Sequence, residues 1–234
     1  MTTPLSGGFD RSRTDFYPDR SFGAFLFDMD GTVLNSIAVA ERVWTAWALR
    51  HNVDVESLLA TVHGRKAAET ISRLGLPGID PAEEMRLLTL AEIADVAGIE
   101  PIAGAGRFLE ALPRDRWAIV TSAPRDLAVV RLKAAGLPWP PLLIAGEDVE
   151  NGKPAPDCFL LAAERLDQPI EECLVFEDAP AGIEAAEAAG AAVIVISATH
   201  RTLLQTPHPS VADYDDIVAD ITRAGSLQIL WKRR

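Results

Sequence analysis

Two aspartates one residue apart, in the run Phe27-Asp28-Met29-Asp30-Gly31-Thr32, are the residues of this chain best suited to do chemistry. They follow Ala24-Phe25-Leu26-Phe27, a short continuous apolar run of the kind that forms a buried parallel strand. In a continuing strand both carboxylates would face one side. Gly31 signals a turn instead, so both converge on one pocket at the strand tip. Converging carboxylates repel, which calls for a cation or a shared proton between them. An isolated Asp-x-Asp-Gly also suits an acidic turn that merely caps a strand, so the assignment depends on what else reaches the same rim.

Three further signals do. A second apolar run ends in Val120-Thr121-Ser122-Ala123, whose hydroxyls and backbone N–H groups precede a helix start and suit a phosphoryl group. The choice between Thr121 and Ser122 as the main contact stays open, and Arg125 is either a substrate contact or a surface residue. Asn151-Gly152-Lys153-Pro154 places a lysine in a proline-stiffened turn. Phe176-Glu177-Asp178-Ala179 brings a second acidic pair to the end of another strand, where its oxygens would complete a hard-cation site around Asp28.

These residues must be positioned by strands. Continuous apolar runs at 24–27, 117–121, 142–145, 173–176 and 192–196 alternate with helical patterns at 127–135, 156–166 and 183–189. Such alternation predicts an α/β fold, a parallel sheet joined by right-handed crossovers with helices on both faces. From 37 to 99 no strand pattern occurs, only amphipathic stretches near 39–51, 55–62, 67–74 and 81–97. An insertion directly after the first strand lies beyond the carboxyl ends of the strands, where ligands bind in open α/β sheets. The expected organisation is a flexible extension over 1–22, a core over 23–36 and 100–234, and a helical cap over 37–99.

Composition narrows the partners. With 234 residues, 48 % hydrophobic and 24 % charged, the chain is long and apolar enough for one core plus a small attached domain. A formal net charge of −12 opposes nucleic-acid backbones and anionic bilayers, yet leaves room for a small anion gripped locally by a metal and a few cationic side chains. No run approaches the roughly 20 apolar residues of a membrane span, and the first twenty residues lack a signal-peptide stretch. Cys158 and Cys173 are too few for a disulfide framework. A cytoplasmic monomer is expected.

Taken in order, Asp-x-Asp-Gly-Thr at 28–32, the hydroxyls at 121–122, Lys153 and the pair Glu177-Asp178 resemble the haloacid dehalogenase superfamily, from Gly23 to about Ala219. The insertion, together with Gly152-Lys153-Pro154 and Glu177-Asp178-Ala179-Pro180-Ala181-Gly182, is similar to the subgroup with a small helical cap on a Rossmann-like core. Within it, Trp117 to Ser122 and His63-Gly64-Arg65 resemble phosphatases of 2-deoxyglucose 6-phosphate, hexitol phosphates and glycerol phosphate. The resemblance implies a magnesium-dependent phosphohydrolase for a small sugar or polyol phosphate, working through an aspartyl-phosphate.

In that reading Asp28 is the nucleophile, Asp30 the general acid and then base, and Lys153 the residue that offsets charge and holds Asp28. Magnesium is held by the carboxylates of Asp28, Glu177 and Asp178 and by the Asp30 carbonyl. Thr121, Ser122 and Ala123 bind the phosphoryl group, with Ser122 ahead of Thr121, while Gly64, Arg65 and Arg125 are substrate-side candidates. Trp44 and Trp47 suit a cap core better than sugar stacking. Dehalogenases of the superfamily lack the second aspartate, so Asp30 points to an oxygen leaving group. A β-phosphoglucomutase-like enzyme is the enzymatic alternative, but the histidine that precedes its Phe-Arg-x-Trp run is absent before Arg42-x-Trp44 here, where Ala40-Glu41 stand. A non-catalytic phosphate-ester binding protein would have lost one of Asp28, Asp30, Lys153 or Asp178; all four are present.

Overall fold

The computed structural model describes residues 16–18, 20–62, 66–202, 204–223 and 225–232. In chain order its elements are β1 (Ala24–Phe27), β2 (Leu34–Asn35), α1 (Ile37–Arg50), α2 (Val55–Leu59), α3 (Ala67–Leu74), α4 (Pro81–Ala94), β3 (Glu100–Pro101), α5 (Ala105–Glu110), β4 (Trp117–Val120), α6 (Arg125–Ala134), β5 (Leu143–Ile144), α7 (Asp157–Arg165), β6 (Cys173–Glu177), α8 (Pro180–Ala189), β7 (Ala192–Ile196), β8 (Ser210–Val211), β9 (Ile217–Ile221) and β10 (Leu227–Trp231). Single 3-10 turns at Gly146–Asp148 and Ile170–Glu172 complete the set.

Six strands form one parallel sheet in the order β5-β4-β1-β6-β7-β8. The five apolar runs are its first five strands, and β8 is a two-residue addition. The mixed α/β class expected from the alternation is the class found. Side chains alternate across β1: Phe25 and Phe27 enter an aromatic cluster with Phe108, Phe176 and Tyr214, while Ala24 and Leu26 enter a second cluster with Val120, Phe159 and Ile183. A strand buried on both faces needs apolar residues at every position, which is why the sequence shows runs here and not alternation. The order of connections reverses at β1, with β4 and β5 on one side and β6 to β8 on the other. That is the switch point at which open sheets leave a crevice beyond their strand tips.

Between β2 and β3 the chain forms α1 to α4, which pack around Trp44, Trp47, Leu58, Val62, Ile71 and Leu88 as a cluster separate from the two beside the sheet. Trp47 is 1 % exposed and donates its indole N–H to Glu84 at 2.8 Å, so it belongs to this cluster and faces no ligand. Asp54 and Asp80 begin α2 and α4 by accepting the N–H groups of Ser57 and Ala82, and Pro81 opens the first turn of α4. The chain enters and leaves this helical unit through β2 and β3, paired antiparallel with Leu34 opposite Pro101. Lys66 reaches back to the core, donating to the carbonyls of Val149 and Glu150 at 2.9 and 3.2 Å.

The extension expected over 1–22 departs from its sequence reading where it can be described; residues 1–15 and 19 lie outside the described residues. Phe16 is buried and stacks on Trp231 with ring centroids 4.3 Å apart. Phe22 exchanges both backbone bonds with Leu227. The Tyr17 hydroxyl donates to the Val193 carbonyl at 2.5 Å and accepts the Val193 N–H at 3.2 Å, closing part of the β7 edge that the short β8 does not reach. The antiparallel β9–β10 hairpin that receives Phe22 was likewise not expected. Since Tyr17→Phe removes both bonds and leaves two strand groups unmatched, we expect it to lower unfolding free energy by about 1–3 kcal/mol in urea titrations. An unchanged midpoint would return this segment to the status of a loose extension.

Candidate active site

The tip of β1 is fixed first. Asp28 donates its backbone N–H to Phe176 on β6, and the chain then doubles back, with Val33 and Leu34 N–H groups on the Met29 carbonyl and Gly31 N–H on the Leu34 carbonyl. Gly31 sits at φ +92°, and a Cβ there would lie 2.0 Å from Asp178 Oδ2. Only glycine meets both demands, the left-handed backbone and the close approach of a carboxylate. The turn leaves Asp28 buried and directs Asp30 to its own partners: Ser36 Oγ donates to Asp30 Oδ1 at 2.6 Å, and Arg131 Nη1 lies 3.0 Å from the same oxygen.

Lys153 is buried to 1 % and uses all three of its protons. Its Nζ donates to Asp28 Oδ1 at 2.6 Å, Glu177 Oε1 at 2.8 Å and the Val120 carbonyl at 3.2 Å. Tips of β1, β4 and β6 thus meet on one ammonium. Glu177 is in turn locked, because its Oε2 accepts the N–H groups of Asp178 and Ala179, both at 2.7 Å. A Cβ on Gly182 would fall 1.5 Å from Glu177 Oε1, so the first turn of α8 can lie over this carboxylate only without a side chain.

Carboxylate oxygens of Asp28, Glu177 and Asp178 lie within 4.8 Å of one another. One ammonium cannot neutralise three clustered carboxylates, two of them buried and Asp178 partly so, and the surplus appears as perturbed acidity. Burial first, then Glu177 and Asp30, push the Asp28 carboxyl from 3.8 up to about 8 against the opposing pull of Lys153. Asp178 is raised well above its ordinary range by burial and by Glu177 and Asp28. Burial alone would pull the Lys153 ammonium down, but Asp28 and Glu177 outweigh it and hold the group charged. A cluster of hard oxygen donors with uncompensated negative charge fits a hard divalent cation.

Beside the cluster lies a cleft of about 100 Å³ between the helical unit and the sheet, lined by Asp28, Asp30, Thr121, Ser122 and Ala123 among others. Thr121 is buried, its N–H tied to the Ile144 carbonyl and its Oγ1 accepting the Ala123 N–H at 3.1 Å. The three residues that the sequence reading gives to the phosphoryl group therefore line the cleft beside Asp28. Arg125 does not. It opens α6 with its guanidinium on Asp148 and the Leu143 carbonyl, and it does not line the cleft. His63, Gly64 and Arg65 lie outside the described residues. Trp44, assigned to the cap interior, is buried there and also borders the cleft.

Sequence reasoning missed Arg131 and Glu92. Arg131 of α6 is 5 % exposed, bridging Asp30 and Glu92 Oε1, the latter at 3.1 Å. A signal existed. Arg131 shares a helical face with buried Leu127, Ala128 and Leu132, and Glu92 lies four residues after buried Leu88. Each is a charge placed where periodicity demands an apolar residue.

Comparison with known proteins agrees with this geometry. The family described as haloacid dehalogenase-like hydrolase matches residues 22–190. Hexitol phosphatase A of Escherichia coli is 41 % identical over 182 residues, covering 76 % of this chain and 84 % of that protein. The 2-deoxyglucose-6-phosphate phosphatase 1 of Saccharomyces cerevisiae is 32 % identical, covering 85 % and 87 %. Among solved structures, a hydrolase from Pseudomonas syringae superposes with a TM-score of 0.69 at 28 % identity, over 78 % of this chain and 87 % of the other. No helix among the described residues is long and apolar enough to cross a membrane.

The raised carboxyls give a pH test. Raised acidities favour protons on Asp28 and Asp178 when no cation is bound, and a cation binding there would displace them, so cation affinity should climb as pH rises toward about 8. We expect the gain in unfolding midpoint from added divalent cation to be larger near pH 8 than near pH 5.5, read by thermal denaturation with cation and with chelator. A gain that is flat or shrinks with pH would contradict the proton-loaded apo cluster.

Proposed function

The chain belongs to the haloacid dehalogenase-like hydrolases, and from that premise we propose that it hydrolyses phosphate monoesters of small sugars or polyols with Asp28 as nucleophile. The observation that carries the reading is the buried Lys153 held between Asp28 and Glu177, with Asp178 beside them and the Thr121–Ala123 cradle opening on the same cleft. A nucleophilic carboxylate needs its own charge masked before it can approach a phosphate dianion, and a buried ammonium at 2.6 Å does that. The two relatives named above are phosphatases of a hexitol phosphate and a hexose phosphate, and both align with most of this chain.

In the mechanism we infer, the carboxylates of Asp28, Glu177 and Asp178 and the backbone carbonyl of Asp30 would hold a magnesium ion, and Glu177, bonded to Lys153 and two backbone N–H groups, also orients the cluster. When bound, the ion supplies positive charge against which phosphoryl oxygens can be placed. The second Asp28 oxygen attacks phosphorus in line, the ester P–O bond breaks, and Asp30 gives its proton to the departing alcohol. Thr121, Ser122 and Ala123 hold the phosphoryl group at the start of α6. Water then loses a proton to Asp30 and attacks phosphorus, which releases phosphate and frees Asp28. Hydrolysis is favoured over mutase chemistry because Ala40-Glu41 occupies the place of the mutase histidine.

The test is phosphate release over hexose, hexitol, pentose and glycerol phosphates, with magnesium and again with chelator. Asp28→Asn should abolish turnover of every ester while the protein stays folded by circular dichroism; retained turnover would remove Asp28 as nucleophile. Asp30→Asn should slow polyol esters by about 10²–10⁴-fold, and an activated aryl ester far less, because only the former require a proton. Equal losses on both classes would speak against Asp30 as the acid.

A further inference from the structure

The pair formed by Arg131 and Glu92 has no place in the chemistry just described, although it borders the same cleft. We propose that Arg131 and Glu92 read the leaving group, binding the hydroxyls of an uncharged polyol and excluding esters whose alcohol carries a second anionic group. The inference rests on the phosphatase reading and narrows its substrate class.

Position comes first. Asp30 must meet the ester oxygen, and Arg131 Nη1 lies 3.0 Å from Asp30 Oδ1. The carbons next to that oxygen therefore fall within reach of the Arg131 guanidinium, and the next ones within reach of Glu92, whose Oε1 is 3.1 Å from Nη2. Arg131 comes from α6 of the core and Glu92 from α4 of the helical unit, so the pair spans the cleft from both sides. Both are more than nine-tenths buried. Arg131 Nε, equally buried, has no partner among the described residues. A donor so placed is normally matched, and a ligand oxygen would match it.

Charge decides the class. Among the described residues lining the cleft, Arg131 is the one cation, and it already faces two carboxylates. The surplus among these described residues is negative, so a second phosphate or a carboxylate on the alcohol would meet repulsion there, with no free cation among the described lining residues to receive it. Hydroxyls, which both donate and accept, suit a carboxylate beside a guanidinium. Ala40, Trp44, Leu88 and Leu127 give part of the remaining wall an apolar surface suited to the C–H faces of a polyol chain, and Ser36 and Thr89 add hydroxyls beside it.

The full chain with magnesium would be assayed on a hexitol phosphate, on phosphoglycolate and on p-nitrophenyl phosphate, as wild type, Glu92→Gln and Glu92→Asp. We expect wild type to favour the hexitol ester over phosphoglycolate. Glu92→Gln should lower kcat/KM for the hexitol ester about tenfold more than for the aryl ester, chiefly through KM, and should raise phosphoglycolate relative to the hexitol ester. Glu92→Asp keeps the charge and shifts its position, so it should weaken the hexitol preference without admitting phosphoglycolate, and it also serves if the Gln variant fails to fold. Equal losses on all three esters, or wild-type ratios in both variants, would overturn the inference and leave the phosphatase intact. A wild type that prefers phosphoglycolate would overturn it too. A wild type that releases phosphate from none of the three would bring down the phosphatase reading and this inference with it.

Discussion

A single buried ammonium holds this molecule's chemistry in place. Lys153 satisfies its three protons on Asp28, Glu177 and the Val120 carbonyl, and so ties the ends of β1, β6 and β4 to one loop. A lone buried lysine would cost several kcal/mol in lost hydration. Here the cost is offset because the opposite charges are equally buried and oriented by backbone N–H groups. The same arrangement leaves more carboxylate than ammonium, and that imbalance makes the site receptive to a cation. Stability and reactivity are two readings of one charge count.

The sheet explains why these groups meet. With β1 in the middle and the chain progressing outward on both sides, three adjacent strands end at one rim with polar residues. The apolar faces below them are filled by Phe25, Phe27 and Phe176 on one side and Leu26, Val120 and Val175 on the other. A packed interior of this kind moves little, so the strand tips keep their separations while the groups around them exchange partners.

What was legible in the sequence follows from range. The five runs of the sheet and the turn at Gly31 are local patterns, and each residue of the cluster sits at the end of one of them. Phe16, Tyr17 and Phe22 were not legible. Their neighbours are charged residues and Pro18, and their partners, Val193, Leu227 and Trp231, lie far along the chain. β8 is too short to form a pattern, and β9 alternates weakly, with Val218 and Ile221 exposed. Of the two readings left open for Arg125, the geometry favours the surface one, because nearness in sequence to Thr121 says nothing about direction and the first residue of α6 points its side chain to Asp148. Arg131 and Glu92 were not singled out, although their helical register places both on buried faces.

The paired strands β2 and β3 carry a final implication. Chain leaving the core at Leu34 and returning at Pro101 is stitched into one short ladder, so the helical unit has a single axle and not two independent tethers. Leu34 also receives the Gly31 N–H and bridges to Asp30. A rotation of the helical unit about this ladder would therefore be felt at Asp30, to which the proposed mechanism gives the proton transfer. Under the proposed mechanism, such a hinge would synchronise admission of the cargo with the placing of Asp30 through the backbone itself, with no separate messenger between them.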